Sequence, residues 1–81
     1  MRLPRDLSGK DLIRSLRSLG YQVTRQTGSH IRLTTTEKGT HHITVPNHDP
    51  LRIGTMAAIL DSVAEHVGMT RDQLITQLKL S

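Results

Sequence analysis

The sequence predicts an α+β fold: a three-stranded antiparallel sheet with helices on one face, in the order α-β-β-β-α-α. Three observations carry this. Leu12, Ile13, Leu16 and Leu19 recur at helical spacing. The stretch from Tyr21 to Val45 then alternates at period two and is interrupted by two glycine turns. Met56, Ile59, Leu60, Val63 and Val67 finally return to the helical period. A sheet with helices on one side leaves its other face to solvent, making a two-layer sandwich.

The elements follow in chain order. Met1 to Leu7, with Pro4 and alternating charges, reads as an arm. Ser8 is an N-cap, and Asp11 places an acid in the first helical turn. Gly20 stands where a left-handed residue ends a helix. Lys10, Arg14 and Arg17, four and three residues apart, form a basic stripe along that helix. Tyr21 to Gln26 alternates, with Tyr21 and Val23 facing one way. Thr27-Gly28-Ser29 is a hairpin turn, His30 to Thr36 a second strand, Glu37-Lys38-Gly39 a second turn and Thr40 to Val45 a third strand. Pro46 ends it, since proline cannot donate into a ladder. After a loop, Gly54-Thr55 begins a long helix that Gly68 closes. Thr70-Arg71-Asp72-Gln73 is a capping box, and Leu74, Ile75 and Leu78 define a short last helix. No repeat or linker divides residues 1–81, which read as one domain.

Composition narrows the function. Apolar residues make up 35 % of the chain and Tyr21 is the only aromatic, so the core must be aliphatic and base-stacking platforms are missing. The absence of cysteine excludes disulfides, thiolate zinc sites and a cysteine nucleophile. No apolar run approaches the ~20 residues that cross a bilayer, and no signal segment stands at the N-terminus, so a cytoplasmic protein without membrane attachment is expected. The net charge is +4, unevenly spread. Residues 1–54 hold nine basic and four acidic residues, and residues 55–81 hold two and three. Arginine outnumbers lysine eight to three, and its planar fork matches phosphate oxygens. A polyanion is the natural partner, although a basic face that only maintains solubility fits the charge nearly as well.

The chemistry concentrates where Gly28-Ser29 delivers His30 onto the start of a strand. Alternation puts His30 and Arg32 on one face and Ile31 and Leu33 on the other. RNA cleavage needs a base to take the 2′-hydroxyl proton and an acid to protonate the leaving 5′-oxygen, and histidine does both near neutrality. Gly28 and Ser29 allow a phosphate to approach the backbone. Arg25 and Arg32 could neutralise charge developing on it. From residue types alone, a surface histidine without a role remains the simpler reading. His41, His42, His48 and Asp49 form a second cluster. Adjacent His41 and His42 point to opposite faces of a strand, so a metal site is not expected, and no cofactor-binding loop is present. His48 is the one candidate for a second proton carrier.

The order of short motifs resembles the HicA-like (YcfA-type) toxins of bacterial toxin–antitoxin pairs. The resemblance runs through Ser8-Gly9-Lys10-Asp11-Leu12, Leu19-Gly20-Tyr21 and Arg25-Gln26-Thr27-Gly28-Ser29-His30. It continues through Thr44-Val45-Pro46-Asn47-His48 and Gly54-Thr55-Met56-Ala57-Ala58-Ile59-Leu60 to Val67-Gly68-Met69-Thr70. It implies a double-stranded-RNA-binding-domain-like sandwich with an added C-terminal helix. It also implies a metal-independent mRNA interferase whose catalytic histidine is His30, and a HicB-type antitoxin through which the toxin oligomerises. Lys10, Gly28, Ser29, Val45-Pro46 and Gly54-Thr55 match the family pattern. Tyr21 stands where phenylalanine is common, and Ile31 where a second polar residue or histidine often follows. The expected RNA contacts are Lys10, Arg25, Gly28, Ser29 and Arg32. An RNA-binding module without turnover, or a degenerate toxin that only pairs with its antitoxin, would share these features.

Overall fold

The computed structural model describes residues 3–80; Met1 and Arg2, the start of the expected arm, lie outside them. Ser8 opens α1 (Gly9–Leu16) with a reciprocal cap. Its hydroxyl accepts the Asp11 N–H at 3.0 Å and the Asp11 carboxylate accepts the Ser8 N–H at 3.5 Å. A 3-10 turn over Arg17–Leu19 tightens the end, and Gly20 closes it in the left-handed region.

Three strands follow: β1 (Gln22–Thr27), β2 (His30–Thr35) and β3 (His41–Pro46). They pair antiparallel in the order β1-β2-β3, so β2 is central. Gly28, at φ +57, takes the first position of the two-residue turn between Thr27 and His30. A side chain there would strain the backbone, as in a type II′ hairpin turn. The third strand begins one residue later than expected and includes Pro46 as its last member, opposite His30. An edge strand can end on proline because nothing outside it needs the missing N–H.

The long helix α2 (Ile53–Val67) begins just ahead of the expected Gly54-Thr55, and its stripe of Met56, Ile59, Leu60, Val63 and Val67 is buried. Thr70 caps α3 (Arg71–Gln77) through the box read from sequence, its hydroxyl accepting the Gln73 N–H at 3.1 Å. Leu74, Ile75 and Leu78 are buried.

One aliphatic cluster joins α1, the packed face of β2 and β3, α2 and α3. Leu33, Val45, Leu12, Leu16, Leu60 and Leu74 are wholly shielded from solvent. Each such side chain contributes about 1.5–3 kcal/mol relative to exposure. Leu3 and Leu7 pack against the same cluster, and the Leu51 N–H donates to the Leu7 carbonyl at 2.8 Å. The described part of the arm is therefore docked.

Val23 departs from expectation. It pairs with fully buried Leu33 and so lies on the packed side, yet remains 49 % exposed. Strand β1 is the sheet's edge, and its six residues are all exposed.

Candidate functional site

Period two, carried forward from Tyr21 and Val23, would turn Arg25 toward the packed side. A β-bulge intervenes. Val23 faces Leu33, but Arg25, not Thr24, faces Arg32, and Thr27 then faces His30. One extra residue in β1 thus moves Arg25 onto the open face. Two guanidinium side chains stand directly across from each other, in a pairing that like charges disfavour. No residue of β1, β2 or β3 is acidic, so no carboxylate in the sheet relieves them.

His30 stands two residues from Arg32 on this face and is exposed. Its neighbourhood is assembled from three parts of the chain. Opposite it lies Pro46, at the end of β3. The next residue, Asn47, donates its N–H to the Ser29 carbonyl at 2.6 Å. The Gly9 N–H then donates to the His48 carbonyl at 2.8 Å. Gly9 comes so close to the chain that a Cβ would collide with the Pro46 carbonyl oxygen. These bonds bring the turn bearing Gly28, Ser29 and His30, the loop bearing His48, and the N-terminus of α1 with Lys10 to one end of the sheet. Lys10 and His48 are exposed. The imidazoles of His30 and His48 have no hydrogen-bond partner among the described residues.

The close approach at Gly9 is the feature of this region least visible in sequence. Its signal is a glycine at the first position of a helix, where residues with better helix propensity are available.

The other histidines differ. His42 faces the open side, opposite Thr34, about 13 Å along the strands from His30. It ends a hydrogen-bonded chain. The Thr24 hydroxyl lies 3.4 Å from the Arg32 carbonyl and 2.8 Å from the Thr34 hydroxyl, which in turn is 2.7 Å from His42 Nδ1. That separation removes His42 from any phosphate held at His30.

His41 turns to the packed side, as alternation requires. Its Nδ1 is 2.7 Å from the Tyr21 hydroxyl and its Nε2 is 3.1 Å from the Ser62 hydroxyl. The His66 ring stacks on it at 4.5 Å, and His66 Nε2–H donates to the Glu37 carbonyl at 2.9 Å. Burial lowers the His41 pKa, the charges of His66 and His42 lower it further, and Glu65 opposes them. Burial pushes the Tyr21 hydroxyl up to about 12. Among the described residues, no three of the histidines and acids gather closely enough to hold a metal ion.

A family model described as "HicA toxin of bacterial toxin-antitoxin" matches residues 9–69. No curated protein and no solved structure gives a match. No helix of the described residues is long and apolar enough to cross a membrane.

Proposed function

The chain belongs to the HicA toxin family, one half of a toxin–antitoxin pair, and from that premise we propose that it is a metal-independent endoribonuclease acting on mRNA with His30 as general acid or base. The observation that carries the reading is the bulge that turns Arg25 to face Arg32 beside His30 on a sheet without acids. Like charges held opposite each other cost stability. A bound phosphate converts that cost into binding and into stabilisation of charge on the attacked phosphorus.

In this mechanism RNA lies across the open face. A base removes the proton of a 2′-hydroxyl, the 2′-oxygen attacks the adjacent phosphorus, and the bond to the 5′-oxygen breaks. An acid protonates that oxygen. The products carry a 2′,3′-cyclic phosphate and a 5′-hydroxyl, and no water or metal is consumed. His30 takes one of the two proton transfers, and His48, held nearby through the Gly9–His48 and Asn47–Ser29 bonds, is the candidate for the other. Lys10, Arg32 and Arg25 supply positive charge, and Gly28 and Ser29 let a phosphate reach the backbone. A HicB-type antitoxin that meets the same arginines with acidic or carbonyl groups would exclude RNA and assemble the toxin into a larger complex.

The test is direct. Purified wild type and His30→Ala are incubated with single-stranded mRNA in the presence of a chelator. Wild type should produce cyclic-phosphate ends and His30→Ala should not. Equal cleavage by the two proteins removes His30 from the mechanism. Intact RNA with wild type, despite binding, makes the protein a non-catalytic RNA-binding module.

A further inference from the structure

A second basic feature lies around the sheet edge from His30, on the packed side. Between α1 and the edge strand runs a groove of about 240 Å³. Lys10, Arg14 and Arg17 form its helical wall, Val23 and Gln26 its strand wall, and Ile31 part of its floor. The three cations are exposed and follow one side of α1 and its 3-10 turn for about 10 Å. Arg14 reaches Asp11 at 3.4 Å, with both side chains largely in water. Among the described residues, Lys10 and Arg17 have no carboxylate partner.

We propose that this groove is a second RNA-binding surface, holding the phosphates that flank the one attacked at His30; it rests on the reading that RNA occupies the His30 face. Three features select this occupant. Cations repeated along one line fit a polymer with one charge per unit, and no acid in the groove opposes it. The exposed apolar surface of Val23, next to the Gln26 amide, suits a ribose or base edge between phosphates. The groove also begins at the site's end of the sheet. Lys10 follows Gly9, whose N–H is bound to the His48 carbonyl, at the end of the sheet that carries the Ser29-His30 turn. A flexible single strand can pass from His30 over Gly28 and Ser29 into the groove.

The experiment uses full-length protein carrying His30→Ala, so that RNA stays intact, and a labelled single-stranded RNA of about a dozen nucleotides. Affinity is measured across a salt series with and without Arg14→Gln plus Arg17→Gln. The double change should weaken binding and lower the salt slope by about 0.7 for each phosphate that is no longer neutralised. Arg14→Lys plus Arg17→Lys should keep the slope. Gln26→Glu, which leaves the helix untouched, should weaken binding as well. RNA shortened from one end, but not from the other, should abolish the difference between the proteins. Unchanged affinity and slope in the double variant, while the His30→Ala protein binds RNA, overturns the groove alone. Self-association of the double variant with RNA affinity unchanged also overturns it and makes the cations guards of the strand edge. Loss of antitoxin binding with RNA binding intact overturns it in favour of a protein-binding surface. No RNA affinity in the His30→Ala protein, when wild type cleaves, overturns the groove but leaves the function standing.

Discussion

The histidines at the two ends of the sheet are held in opposite circumstances. His41 and His66 are stacked and bonded to Tyr21, Ser62 and the Glu37 carbonyl. His30 and His48 project from a turn and a loop, without a hydrogen-bond partner among the described residues. The first pair has most of its nitrogens committed to the fold, joining β3 and the β2–β3 turn to α2. The second pair has its nitrogens open to contact from outside the chain. An imidazole can be a strut or a reagent, and its partners decide which.

Substitutions at the two ends should therefore separate activity from stability. His30→Ala should lower RNA cleavage at least ~100-fold, the low end of what general acid–base groups contribute, and leave the melting temperature unchanged. A matching loss of stability would erase the contrast. Gly9→Ala should cost about 2–3 kcal/mol, because the new methyl meets a backbone carbonyl that cannot retreat without moving the His48 loop. Denaturant titration measures this, and cleavage per folded molecule should also fall. His41→Ala should cost about 1–3 kcal/mol by leaving Tyr21 and Ser62 unpaired, with cleavage per folded molecule intact. Tyr21→Phe should cost about 1 kcal/mol for the same bond seen from its other side.

The pH dependence sharpens the distinction. The His41 pKa is below its ordinary 6.5 in the fold, so the unfolded chain takes up the proton first as pH falls. Stability should be full above 6.5 and decline as pH falls from there through the folded-state value. His41→Ala should flatten that decline. Tyr21 shifts the other way, from 10.0 to about 12. Its contribution should hold below 10 and disappear as pH rises toward 12, and Tyr21→Phe should abolish that alkaline loss. Thermal melts across pH check both.

Much of this architecture is written in local spacing. The stripe from Met56 to Val67, the caps at Ser8 and Thr70, and the turn at Gly28 each require only a few neighbouring residues, and each forms where the spacing places it. What escaped was non-local. A bulge adds a residue to one strand without changing composition, so alternation could not show that Arg25 reaches the open face. Val23 is apolar in a strand, yet its exposure depends on β1 having no further strand beyond it among the described residues. The commitment of His41 rests on Tyr21 and Ser62, about twenty residues away in either direction. The proximity of His48 to His30 rests on two backbone hydrogen bonds that no side-chain pattern records.

The chain from Thr24 through Thr34 to His42 ties the three strands together by side chains across the open face. The Thr24 hydroxyl also lies 3.4 Å from the Arg32 carbonyl, a longer contact than the 2.8 and 2.7 Å contacts that follow it. A hydroxyl both donates and accepts, so the two threonines carry the connection from β1 through β2 to His42 on β3. His42 Nδ1 is engaged by Thr34, and the residue stays exposed on the open face. Nitrogen chemical shifts of His42 would register the Thr34 bond directly.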